Sequence, residues 1–320
     1  MHGNDSMRRN FPRSRLLFSA ALLITLHTAS IAPQDAKQTW QPPQSRKNLT
    51  IFAPKPFAGH NIFKGDADLW LAEAIENLGA VDLRPIRDQV LTEYVSALGN
   101  YLVSHSVNPK KQFRFIVTDD WSEDAMSIGG GHVYLCVGLF QSLENEDELA
   151  GILAHEIAHD EFAHAGKTAT RQMFWLTGTR TVKTRLEVAL ALQKLWEEFN
   201  KHELVQVGER LLGFSRFDEL EADRAAFYNS YKAGYNPDAL ADWLKRRERR
   251  EKEETDIDEY HKEQLRKFFF STHPPSAQRI TALEWEANFV QMPPRKSYYE
   301  SRTFAEMKRR ARDLMENPGR

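Results

Sequence analysis

The chain has 320 residues, 41% of them hydrophobic and 28% charged, with a formal net charge of −2. That is enough apolar material for a sizeable core, and the near-neutral balance excludes a global pull toward nucleic acid or anionic membrane. The single cysteine, Cys136, excludes an intrachain disulfide; its strand-like run, Val133 to Val137, makes it a small buried hydrophobe.

Arg8, Arg9, Arg13 and Arg15 precede an apolar run from Leu16 to Leu26, followed by small residues at Ala29, Ser30 and Ala32. This is the layout of a secretory signal, predicted over residues 1–32. The apolar core, of about eleven residues, is short of the roughly twenty that span a bilayer. Export is therefore expected, with an uncleaved membrane anchor as the alternative. Residues 33–65, polar and carrying Pro33, Pro42 and Pro43, read as a linker and N-terminal extension.

The spacing of Leu83, Ile86, Val90, Leu91, Tyr94, Val95 and Leu98 predicts an amphipathic helix within 83–103. Phe113 to Val117 reads as a strand. Gly129, Gly130 and Gly131 lead into a second strand over Gly131 to Val137, where glycines would permit close approach of another backbone. Gly130, Gly131, His132 and Val133 are the expected substrate-binding residues should the substrate be an extended chain that joins the strand. A small antiparallel sheet packed on helices is the expected frame.

Asn145, Glu146, Asp147 and Glu148 mark a helix N-terminus, and Leu149, Ile152, Leu153 and Ile157 supply its apolar stripe. In that helix stands His155-Glu156-Ile157-Ala158-His159, an H-E-x-x-H motif. Positions 155 and 159 lie about 40° apart around the axis, so one metal ion can touch both imidazoles. Glu156, about 100° around from His155, can reach an attacking water without ligating the metal, which is the place of a general base. The motif alone occurs in unrelated proteins. Its setting in an apolar helix raises its weight, because a buried face has little reason to carry two histidines that no metal satisfies.

A catalytic zinc takes three protein ligands and keeps a fourth position open. His164, on a continuous helix, would point about 180° from His155, and Phe162 stands where the metzincin pattern has glycine. Glu219 is the better third ligand. Asp223 follows it by one helical turn and is placed to orient a ligand histidine. The competing reading of this stretch is a solvated acidic helix start. Phe174, Trp175, Leu190, Leu195 and Trp196 predict helices within 167–212, either a lid over the cleft or plain scaffold. Residues 291–320 form a basic segment with Lys308, Arg309, Arg310 and Arg312.

Several ordered landmarks now stand together: Gly129 to Tyr134, Gly138-Leu139, the H-E-x-x-H helix, Ser215 to Asp223, and Ser271-Thr272-His273-Pro274-Pro275. In this order they resemble the HtpX/BepA-type zinc endopeptidases, gluzincins related to the CaaX prenyl proteases, from about Leu83 to Leu283. The resemblance implies an α+β, mostly α, zincin-like domain over 66–290. It implies one Zn2+ on His155, His159 and Glu219, with Glu156 as base and Asp223 as partner of a ligand histidine. His273 would either stabilise the oxyanion or occupy the open zinc position in a latent state. Asp124-Ala125-Met126-Ser127 departs from the family, where an asparagine often precedes a small and an aromatic residue.

The implied activity is zinc-dependent hydrolysis of peptide bonds in unfolded or misassembled proteins, in envelope protein quality control, and the expected place of export is a bacterial periplasm. Envelope membrane-protein assembly factors are the implied partners, and nucleic acid is not. The competing class is a non-hydrolytic, chaperone-like protein that holds clients over a retained zinc site. Intact Glu156 favours the enzyme, and no serine nucleophile elbow offers another chemistry.

Overall fold

The computed structural model describes residues 40–44, 59–78, 84–201, 213–253, 273, 277–289 and 301–317. The predicted signal segment, 1–32, lies outside the described residues. The elements run α1 (Asp66–Leu78), α2 (Gln89–Val103), β1 (Arg114–Thr118), β2 (Ala125–Ser127), β3 (His132–Cys136), α3 (Leu139–Ser142), α4 (Glu146–Glu161), α5 (His164–Thr177), α6 (Arg185–Lys201), α7 (Arg216–Ala233), α8 (Ala239–Glu253), α9 (Ala277–Phe289) and α10 (Arg302–Glu316). The chain is thus mostly helical, with one small sheet, as the sequence predicts. No described helix is long and apolar enough to cross a membrane.

Helix α2 begins at Gln89, later than its apolar spacing predicts, because Asp88 caps it: its Oδ1 accepts from Leu91 N at 2.8 Å. A side-chain oxygen there satisfies one of the N–H groups that the first turn leaves unpaired. The apolar face of α2, including Leu91, Val95 and Leu98, is fully buried.

The sheet is mixed, where a wholly antiparallel one was expected. Its order is β1-β3-β2; β2 pairs antiparallel with β3, but β1 and β3 are parallel, with Phe115 opposite Val133. The cause is the turn after β2. Gly129, Gly130 and Gly131 all have positive φ, a conformation nearly reserved for glycine, and they fold β3 back into the space between β1 and β2. Both faces of this sheet are covered. Phe115, Val117, Val133 and Leu135 enter one core with α2, α4, α7 and α8, whereas Ile116, Met126 and Tyr134 enter a second with α1, α5 and α6. Two-sided burial explains why the strands read as continuous apolar runs rather than alternating ones.

The same turn corrects the expected peptide grip on β3. Gly130 N donates to Asp68 Oδ2 at 3.0 Å and Gly131 N to Asp160 Oδ2 at 2.7 Å. His132 Nδ1 lies 3.0 Å from Glu76 Oε1, and Val133 is paired with β1 and β2 on either side. As the central strand, β3 has no free edge for an added peptide. The edge strand that packs against α4 is β2.

Helices α5 and α6 pack with α1 around the second core, so the described part of 167–212 serves as scaffold there. In the basic C-terminal segment, α10 puts Phe304, Met307 and Ala311 into the first core. Its Arg310 Nε reaches Asp88 Oδ2 at 2.6 Å, tying it to the start of α2.

Candidate metal centre

Helix α4 is pinned at its N-terminus. Asn145 Oδ1 accepts from Glu148 N at 3.0 Å. The three acids that open the helix are buried, and each is held by donors. The Glu146 carboxylate accepts from Tyr94, Tyr235 and Trp40 at 2.8, 3.0 and 3.1 Å. Asp147 Oδ1 accepts from Asn236 N at 2.6 Å, and Glu148 Oε2 from Arg246 at 2.6 Å. Anions here are also favoured by the positive end of the helix dipole. Helix α7, which packs along α4, is started by a capping box between Ser215 and Asp218, so the next residue, Glu219, projects toward α4.

This packing brings four side chains together. The ligand atoms of His155, His159, Glu219 and His273 lie within 4.8 Å of one another, all on buried residues. His155 Nε2 and His159 Nε2 are 2.9 Å apart. Each sits 3.5 Å from a Glu219 oxygen, and His273 Nδ1 is 3.0 Å from Glu219 Oε1. Three imidazoles and a carboxylate converging away from water form a donor set of the kind that holds a small divalent cation. Two buried atoms at its rim, Glu156 Oε2 and His273 Nε2, have no hydrogen-bond partner and face each other at 3.6 Å, a spacing that leaves both with hydrogen-bonding capacity for a ligand or reacting group. The residues therefore fit a metal.

The electrostatics separate the roles of these groups. Burial pushes the Glu219 carboxyl up, but His273, Arg279 and His159 more than reverse this and hold it well below the usual carboxylate range. Burial and the neighbouring His155 keep the His159 imidazole well below its ordinary value, which leaves a lone pair for a metal. His155 is likewise penalised by burial, yet Asp223 and Glu219 outweigh that and raise it to about 9, so a cation bound at its Nε2 would have to displace a proton. Burial raises the Glu156 carboxyl, the direction expected of a group that takes up a proton. Glu156 faces a small pocket lined by Asp124 and Ala125 at the start of β2, Ile152, Trp243 and Arg247.

Two neighbours of this cluster, Arg279 and Phe214, went unrecognised in the sequence, and a third, His164, was set aside there as a zinc ligand. Arg279 of α9 lies against Asp223 and Glu219. Phe214 stacks on the His159 ring, with centroids 4.1 Å apart. His164 Nδ1 is 2.8 Å from His159 Nδ1. The opposite-face argument against His164 fails because α4 ends at Glu161 and Ala163 takes a left-handed conformation, with φ 54° and ψ 39°. For an L-residue that costs on the order of 1–2 kcal/mol, and no glycine or asparagine marks the break. Arg279 had no signal at all, being 56 residues from Asp223.

Comparison with known proteins places this geometry in a family. Residues 90–287 match Peptidase family M48. The chain is 28% identical over 166 residues to the beta-barrel assembly-enhancing protease of Escherichia coli, covering 50% of this chain and 33% of that protein. It is 30% identical over 212 residues to a putative beta-barrel assembly-enhancing protease of Vibrio cholerae, covering 66% and 42%. It is also 29% identical over 195 residues to a mitochondrial metalloendopeptidase of Schizosaccharomyces pombe, covering 60% and 52%. The chain thus spans from a third to about half the length of these relatives. The family match includes α4, α7 and Arg279, the elements that build the cluster, and the chain belongs to Peptidase family M48.

Proposed function

We propose that this chain is a zinc-dependent endopeptidase, with His155, His159 and Glu219 holding the metal and Glu156 as the general base. The observation that carries this reading is the meeting of the H-E-x-x-H helix with Glu219 in one buried cluster whose rim is Glu156. A zinc ion bound there would polarise the scissile carbonyl and acidify a water molecule. Glu156 takes the proton from the attacking water and returns it to the leaving amine. Asp223 Oδ1, 3.0 Å from His155 Nδ1, holds that ring with Nε2 toward the cluster. The peptide runs along the outer edge of β2, whose Ala125 lines the pocket beside Glu156.

His273 Nδ1 joins the cluster as a fourth donor, 3.3 Å from His155 Nε2. That position favours a latent role for His273 over oxyanion stabilisation. Zinc as the metal, unfolded or misassembled envelope proteins as substrates, and a periplasmic quality-control setting are parts of the same proposal. They are supported by the donor set and by the names of the bacterial relatives.

The test compares cleavage of unfolded casein by the zinc-loaded parent and its Glu156→Gln variant, both shown to be folded. Hydrolysis by the parent and its loss in the variant is the expected result. Equal residual cleavage would remove Glu156 from the mechanism. Specific retention of casein by both proteins without any cleavage would favour the client-binding alternative.

A further inference from the structure

We infer that His164 is a positioning residue that fixes the tautomer and ring plane of His159, through a directed chain of hydrogen bonds that ends on the acids of α7. The inference rests on the metal reading above and adds a residue to it.

The geometry leaves little freedom in where the protons sit. His159 Nδ1 and His164 Nδ1 face each other at 2.8 Å, so one of them carries a proton and the other accepts it. On its far side, His164 Nε2 lies 3.2 Å from Glu221 Oε2 and 3.6 Å from Asp218 Oδ1. A lone pair at that nitrogen would face two carboxylates, whereas an N–H there donates to Glu221 with Asp218 close by. In the neutral ring the acids therefore place the one His164 proton on Nε2 and leave its Nδ1 as an acceptor. His159 must then donate from Nδ1, which keeps its Nε2 lone pair directed at the cluster. The opposite arrangement would set a proton on His159 Nε2, where the metal has to bind.

Other features agree with this direction. The His164 side chain is fully buried, so water cannot take its place. The left-handed Ala163 breaks the chain between α4 and the helix that His164 opens, so the two rings need not lie on opposite faces of one helix. Asp218 is itself held by Ser215, whose N and Oγ donate to Oδ2 at 2.9 and 2.6 Å. His159 thereby gains from His164 what His155 gains from Asp223, a partner on the nitrogen facing away from the cluster.

The experiment uses the full chain and reads metal rather than activity. Zinc affinity is measured by chelator competition and stoichiometry by elemental analysis, for the parent, His164→Phe and His164→Asn. Thermal unfolding of the metal-free proteins separates loss of fold from loss of affinity. Long-range 15N–1H spectra of histidine-labelled, zinc-loaded parent report the His159 tautomer without any substitution. The expected results are one zinc per parent chain, a proton on His159 Nδ1, affinity weakened 10- to 100-fold in His164→Phe, and partial recovery in His164→Asn, whose amide oxygen can accept. Parental affinity in His164→Phe, or a proton on His159 Nε2, would overturn this inference and leave the metal reading standing. Two zinc ions per chain, one of them lost in His164→Phe, would also overturn it by making His164, Asp218 and Glu221 a second cation site. A parent that takes up no zinc would overturn the metal reading and this inference with it.

Discussion

Arg279 grips Asp223 with two nitrogens, Nε on Oδ2 and Nη2 on Oδ1, each at 2.7 Å. Its remaining nitrogen, Nη1, lies 3.0 Å from Glu219 Oε2 and 3.3 Å from the carbonyl oxygen of His273. One buried guanidinium thus steadies the carboxylate behind His155, the proposed ligand Glu219 and the backbone of His273. The planar fork suits paired carboxylate oxygens in a way an ammonium cannot. Replacing Arg279 by Met leaves two buried carboxylates without their cation, and removing one partner of a buried pair costs about 3–5 kcal/mol. Arg279→Lys keeps the charge but loses the fork, so a loss of about 1–3 kcal/mol is expected. Urea unfolding of the metal-free proteins measures both. Equal stability of Met and Lys variants would show that charge is not what Arg279 supplies.

His273 tests whether the described arrangement is a resting state. Its Nδ1 stands with the three proposed ligands and its Nε2 is 3.6 Å from Glu156 Oε2, so it occupies the space a substrate carbonyl and water need. His273→Ala is expected to raise basal casein hydrolysis by roughly tenfold, equivalent to about 1.4 kcal/mol less occlusion. A fall in kcat of similar size would instead assign His273 to the transition state.

What could be read from the sequence follows from what is local. Helix α4, its acidic start and the H-E-x-x-H spacing are encoded within one stretch, and helical periodicity alone places His155 and His159 on one face. Glu219 and Asp223 were accessible for the same reason, lying one turn apart on α7. The parallel pairing of β1 with β3 was not, because strand order depends on where the turn through Gly129 to Gly131 sends the chain. Those glycines invited a peptide-binding reading, although they are needed for the turn itself. His164 was discarded by extending α4 past its true end, and Arg279 acquires its role only when α9 packs on α7.

Cys136 offers a pH-dependent signature away from the metal cluster. Burial is the main cause pushing its thiol up, to about 12, against about 8.5 in an unfolded chain. A group with a raised folded-state pKa contributes stability that is complete below its unfolded value and is lost as pH rises toward the folded one. From about pH 8.5 upward the loss in the parent relative to Cys136→Ala should therefore steepen, approaching about 1.4 kcal/mol per pH unit by about pH 10. Native Cys136 should also resist a thiol reagent until the protein unfolds. Prompt labelling of the folded protein would show the strand to be open.

The glycine turn can be tested with a matched pair of substitutions. Gly131 has φ +82°, and a Cβ there would stand 2.2 Å from the Gln112 carbonyl oxygen; Gly65 has φ +61° with open space around it. Alanine at Gly65 meets only the left-handed backbone cost, about 1–2 kcal/mol. At Gly131 the same cost adds to a backbone clash that no side-chain rotation relieves, so Gly131→Ala should lose about 1–3 kcal/mol more than Gly65→Ala. Because Gly131 N also donates to Asp160, next to His159, the shift should be felt at the cluster. Zinc affinity is therefore expected to fall in Gly131→Ala and to hold in Gly65→Ala. Unchanged zinc affinity in a destabilised Gly131→Ala protein would mean that the turn shapes the sheet without positioning the metal centre.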